Sequence, residues 1–272
     1  MEPETQATRS TRRLPTFFIP HGGGPCFFVS SMAPAWESLA TFLRDVRSTL
    51  ETRPKAIVVV SAHWEESRAT VTSRIDPPLL FDYHGFPPET YTLRYDVPGS
   101  PSLARRITEL LGAAHIPASA DTQRGLDHGV FIPFLLVEPE ADIPIVELSL
   151  VRGLDPAQHL AIGAALAPLR DEGVLIVGSG MSYHNMRGLM SGQALGAATF
   201  DAWLSATAVA DPAARTSALQ RWHSAPDARL AHPREEHLLP LMVAAGAAGD
   251  DRGSHVFHER IGGTVLSAYR FG

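Results

Sequence analysis

Three short apolar runs set the limits on what this chain can fold into: residues 55–62 (KAIVVVSA), 143–150 (IPIVELSL) and 173–178 (GVLIVG). They are continuously apolar or nearly so, and each predicts a strand buried on both faces, as in a parallel sheet covered by helices. Helical patterns fall between them. Residues 34–50 carry Trp36, Leu39, Leu43, Val46 and Leu50 on one face. Ser100-Pro101 and Asp155-Pro156 each place a capping side chain before a proline, which opens helices to about Ala113 and Arg170. Residues 200–210 and 235–248 also read as helices. Residues 16–19, 255–257 and 264–269 read as further strands. Strands alternating with helices predict a single α/β domain with a central, mostly parallel or mixed sheet. In such sheets ligands bind beyond the carboxyl ends of the strands.

Composition narrows the function classes. At 272 residues, 44% hydrophobic and 19% charged, the chain has the make-up of a folded globular protein. Its net charge of −6 argues against a nucleic-acid partner. No apolar run reaches the roughly 18 residues of a membrane span. A single cysteine, Cys26, excludes an intrachain disulfide and a cysteine-based zinc cluster, so a reducing cytoplasm is expected. Residues 1–13 are polar, lack the apolar segment of a secretory signal, and are expected to form a disordered tail, with the domain spanning 14–272.

Twelve histidines are many for this length. Residues 16–19 run into His21, residues 55–62 into His63, and residues 173–178 into a loop that carries His184. Three strand ends bearing histidine can feed one pocket. His128 precedes the apolar run 130–137, and His232 and His237 flank the start of the helix expected over 235–248. His84, His115, His159, His223, His255 and His258 lack a comparable setting and read as surface or structural residues. Imidazoles suit zinc, iron, copper or nickel. The H-E-x-x-H spacing of zinc proteases is absent, and ligands scattered along the chain fit either a non-haem Fe(II) or a zinc site.

Seven stretches in order carry a family likeness: residues 20–25 (PHGGGP), 54–64 (PKAIVVVSAHW), 82–89 (DYHGFPPE), 95–101 (YDVPGSP), 125–133 (GLDHGVFIP), 178–185 (GSGMSYHN) and 232–241 (HPREEHLLPL). In these the chain resembles the class III extradiol ring-cleavage dioxygenases, the LigB-like superfamily, in its DOPA-dioxygenase branch. The resemblance implies His21, His63 and His237 as metal ligands, His184 as the acid–base residue and His128 as a second pocket histidine. It implies a structural role for His232. Fe(II) with O2 as co-substrate is the implied chemistry, Zn(II) being the alternative metal, and a catechol opened beside its hydroxyls to a semialdehyde is the implied reaction. On a helix, Glu236 would point about 100° away from His237. Tyr83, Phe86 and Trp64 are expected to wall the aromatic ring. Tyr183 is a candidate hydrogen-bond donor, and Arg124 and Arg234 are candidates for a substrate carboxylate. A zinc-dependent hydrolase and a non-catalytic metal-binding protein remain open on the same residues.

Overall fold

The computed structural model describes residues 13–272. The tail expected over 1–13 therefore lies, apart from Arg13, outside the described residues. Eight strands form one sheet: β1 (Thr16–Pro20), β2 (Ala56–Glu66), β3 (Ala69–Thr72), β4 (Ala118–Asp121), β5 (Ile145–Val151), β6 (Val174–Gly180), β7 (Gly253–Ile261) and β8 (Thr264–Phe271). Their order is β4-β3-β5-β2-β6-β1-β8-β7. The central four, β5, β2, β6 and β1, are parallel neighbours, so their carboxyl ends share one edge. β3 and β8 join antiparallel at the two sides, which makes the sheet mixed. The three apolar runs are its buried middle, with Val58, Val59, Val60, Ile145, Val146 and Ile176 sealed from solvent.

Helices cover both faces. Gly178 faces the carbonyl of Pro240, whereas the hydroxyl of Ser179 donates to the carbonyl of Gly129. Adjacent strand residues point to opposite faces, so the helices Leu239–Ala248 and His128–Val137 lie on opposite sides of β6. Leu239–Ala248 is apolar all round because it is sandwiched between the sheet and the helix Pro156–Leu166. His128–Val137 contains Pro133. A proline has no N–H for the carbonyl four residues earlier, and that carbonyl belongs to Gly129. The Ser179 hydroxyl supplies the missing donor and ties the helix to β6.

The expected caps are present: Ser100 Oγ accepts from Leu103 N at 3.2 Å, and Asp155 Oδ1 from Ala157 N at 2.9 Å. One boundary differs. The last helix begins at Leu239, not Glu235, and residues 232–238 form turns ahead of it. Pro240 was the sequence signal, since proline belongs in the first turn of a helix. Strands β3 and β4 and the helix Met186–Ser191 were missed because four to six residues carry too little period to read. Among the described residues no helix is long and apolar enough to cross a membrane.

Candidate metal centre and active site

β2, β6 and β1 are consecutive in the sheet, and their carboxyl ends place three histidines around one point. His21 follows β1, its N–H donating to the Gly180 carbonyl at 3.1 Å. His63 sits where β2 leaves its ladder: Val60 pairs with Leu148 but Glu65 with Leu150. Extra residues of this kind kink a strand and re-aim its side chains, often beside an active site. His237 reaches the site from the turn before the last helix, because Met181 N donates to the His237 carbonyl at 2.9 Å. A Cβ on Gly180 would stand 2.2 Å from that carbonyl oxygen, so only glycine permits the approach. His184 N donates to the Ala231 carbonyl at 3.0 Å, which pins the loop after β6 to the same turn.

His128 arrives at the first residue of its helix. Asp127 caps that helix by accepting from Gly129 N at 3.0 Å, and Ser61 Oγ from β2 donates to the same carboxylate oxygen at 2.7 Å. A Cβ on Gly129 would meet Ser61 Oγ at 2.7 Å and His63 Cδ2 at 2.9 Å, so a larger residue there would push His128 away from His63. Arg124 pairs with Asp127 at 2.9 Å and Glu147 at 3.4 Å. Burial pushes Glu147 well above the usual carboxylate range, and the neighbouring Asp127 adds to the effect.

The five histidines form one cluster. Nε2 of His21 and Nε2 of His63 are 3.2 Å apart. In each of two trios, His21/His63/His128 and His184/Glu236/His237, the ligand atoms lie within 4.8 Å of one another. Ring centroids distinguish the possible metal sets. His21, His63 and His237 are separated by 4.8, 5.2 and 4.8 Å. At a metal–nitrogen distance of about 2.1 Å, three imidazoles on one ion have centroids about 4.5–5.2 Å apart. His128 is 3.9 Å from His63 and 5.5 Å from His21, a less regular set. Among the described residues, Nε2 of His237 is buried without a hydrogen-bond partner, as are Nδ1 of His21 and Nδ1 of His232, and a nitrogen in that state is free to take a cation. Burial holds His21, His63 and His237 well below the usual histidine range. Neutral imidazoles are what a metal requires.

Two carboxylates orient the rings. Glu236 Oε1 lies 2.9 Å from His237 Nδ1 and 3.1 Å from His184 Nδ1. Burial opposes its ionisation, but the hydrogen bonds from His184 and His237 outweigh burial and hold Glu236 far below the usual carboxylate range. An ionised carboxylate only accepts, so both Nδ1 atoms donate, and in the neutral form of either ring the lone pair is then on Nε2. The expected 100° separation of Glu236 from His237 does not occur, because neither residue is on a helix. Asp82 does the same for His128, taking its ring Nδ1 at 2.7 Å and its backbone N–H at 3.0 Å. Neither carboxylate role was visible in the sequence. Helical periodicity turns Glu236 away from His237 and leaves its role open, and nothing local ties Asp82 to His128.

A cavity of about 510 Å³ opens above the histidines. Phe86 lines it. Tyr83 lies behind, its ring 5.8 Å from that of His128 and its hydroxyl donating to the Thr90 carbonyl at 2.6 Å. Trp64 does not border the cavity. It follows His63 on a strand and points the other way, under the Arg124 guanidinium and bonded to Glu66. Trp36 and four of the six methionines, Met32, Met181, Met186 and Met190, form the wall instead. Met181, Met186 and Met190, close to His184 in the chain, are the sequence signal for this wall. Arg124 and Arg234 are both internally paired, Arg234 with both oxygens of Glu65 at 2.5 and 2.7 Å. Tyr183 is buried and donates to the Leu195 carbonyl at 3.3 Å.

The other histidines lie outside this cluster. His84, His115 and His223 are exposed, and His159 is bonded to Val151 N and the Asp155 carbonyl. His232 is fully buried, with Nε2 on the Ser182 carbonyl at 3.0 Å and its ring against Phe200 and Trp222. Burial lowers it from 6.5 to about 4. The unfolded chain then binds a proton that the folded chain refuses. Its contribution is complete above about pH 6.5, and stability falls by up to about 3 kcal/mol as pH drops toward 4. Thermal unfolding between pH 7.5 and 4.5 should show a shallower pH slope for His232→Gln than for the parent. Equal slopes would mean that His232 is not the titrating group.

Residues 15–271 match the family described as the catalytic LigB subunit of aromatic ring-opening dioxygenase. A 4,5-DOPA dioxygenase extradiol of Beta vulgaris is 40% identical over 94% of this chain and 96% of its own length. Its Escherichia coli K12 namesake is 35% identical over 88% and 86%. A solved structure of an uncharacterized Escherichia coli K12 protein matches with a TM-score of 0.74 at 30% identity, covering 96% of this chain and 100% of that one.

Proposed function

The chain belongs to the LigB family and is an extradiol ring-cleavage dioxygenase, and from that premise we propose that it opens a catechol ring beside its two hydroxyls, using O2 and a ferrous ion held by His21, His63 and His237. The observation that carries this reading is the shared Glu236 oxygen. It holds His237 as a ligand and, with ring centroids 3.3 Å apart, holds His184 beside it as the base. The hydrolase and non-catalytic readings left open by the sequence give way to it. Relatives named for 4,5-DOPA support a catechol as the ring that is opened.

When bound, the ferrous ion supplies Lewis acidity toward the hydroxyls and the redox change that oxygen chemistry needs, which zinc lacks. His184 Nε2 takes a hydroxyl proton as the catechol enters, and Glu236 stabilises the imidazolium that forms. The same nitrogen returns the proton during ring opening. His128 Nε2, held by Asp82, faces the reacting edge of the ring and steadies charge that develops there. Phe86, Trp36 and the methionines exclude water. Three neutral imidazoles leave the metal's charge to be balanced by a catecholate. A reducing cytoplasm suits both Fe(II) and the buried thiol Cys26, which burial pushes up to about 12.

The test is metal removal and reloading. Apo-protein reloaded anaerobically with Fe(II) should consume one O2 per catechol and give a yellow semialdehyde. Zn(II) should give neither. Failure of the Fe(II) protein to take up oxygen with every catechol in a substituted panel would sink the proposal.

A further inference from the structure

The walls above the five histidines are apolar. Besides those histidines, no lining residue of the cavity is ionisable among the described residues. Two guanidinium groups flanking the site face carboxylates, Arg124 with Asp127 and Glu147 and Arg234 with Glu65, and Arg260 beside the lining residue Ile261 donates to the Gly263 carbonyl at 3.3 Å. The helix Met186–Ser191 presents Met186, Leu189 and Met190 to the cavity. Arg187 falls about 100° round that helix from Met186 and about 60° from Met190; it is exposed and does not line the cavity. Exposure rises from the base to the rim: His21 and His237 are 2% and 4% exposed, Met186 and Met190 53% and 83%. A catechol with its hydroxyls at the histidines therefore directs its ring substituent along methionine and leucine side chains.

We infer that the cavity selects catechols with an apolar ring substituent over catechols whose substituent carries a carboxylate or an ammonium. The inference rests on the ring-cleavage reading and deepens it. A charged substituent would lose water along the inner part of this wall, beside Trp36, Met181 and Leu189, and find no ionisable side chain there. An apolar one would cover methionine, leucine and Trp36 surface, and methionine adapts to irregular shapes. Met190, at the rim, is the specificity position that can be changed without disturbing the core.

The experiment compares two catechols of matched shape, 4-(3-methylbutyl)catechol and 3-(3,4-dihydroxyphenyl)propionate, together with DOPA, on the iron-loaded protein. The branched alkyl compound should have a kcat/KM about tenfold or more above either charged one. Anaerobic titration, read by the quenching of tryptophan fluorescence that Trp36→Phe abolishes, should rank affinities in the same order. Met190→Arg places a guanidinium at the rim and should narrow the alkyl-to-propionate ratio by about fivefold. Ring opening with equal or reversed preference overturns the inference and leaves the ring-cleavage reading standing. No ring opening with any of the three overturns that reading and the inference with it.

Discussion

His184→Ala is expected to lower kcat by about 10²–10⁴-fold, the usual worth of a positioned acid–base group, while bound metal stays at the parental stoichiometry. The separation of the two effects follows from the geometry. His184 shares an anchor with His237 but stands outside the trio whose ring spacing fits one ion. Removing its imidazole leaves His237 Nδ1 on Glu236 Oε1 at 2.9 Å, so the ligand keeps its orientation. The backbone bond from His184 N to the Ala231 carbonyl is also retained. The side chain is 21% exposed, so the alanine leaves no sealed void and the fold should persist. Metal analysis beside steady-state kinetics decides the matter. Loss of metal together with activity would move His184 into the ligand set and remove it from proton transfer.

Glu236→Ala should damage both functions at once. One oxygen accepts from Nδ1 of His237 and of His184, so its loss frees a ligand and the base together. Removing the carboxylate partner of a metal-bound histidine typically weakens metal affinity about 10–100-fold. At saturating metal a further deficit in kcat should remain, because His184 loses the group that fixes its tautomer and stabilises its imidazolium. Glu236→Gln should fall between the two, since its amide oxygen accepts but carries no charge. Chelator competition gives the metal affinity, and kinetics at saturating Fe(II) gives the rest. Parental values of both in Glu236→Ala would show that the shared oxygen is not what organises the site.

These expectations depend on a residue that local reasoning misplaced. Apolar periodicity over residues 235–248 reads as a helix from Glu235 and turns Glu236 away from its neighbour. Pro240 starts the helix at Leu239 instead, and the preceding turns let Glu236 and His237 face the same point. Trp64 illustrates the converse. Its place after His63 in a strand already determined that the two side chains face opposite sides.

What the sequence determined was local. Unbroken β-branched runs require strands buried on both faces, caps with proline start the helices between them, and histidines at the strand ends lie on the edge where an α/β sheet binds ligands. Tertiary structure alone decided that β2, β6 and β1 stand side by side. Only that order brings His21, His63 and His184 together and lets the turn carrying His237 close over Gly180. It also chose Glu236 and Asp82 as the anchors of the rings, and Trp36 with the methionines as the wall. Period and capping report the interactions of residues a few positions apart. The centre joins residues 21, 63, 128, 184 and 237, whose meeting is set by packing across the whole sheet.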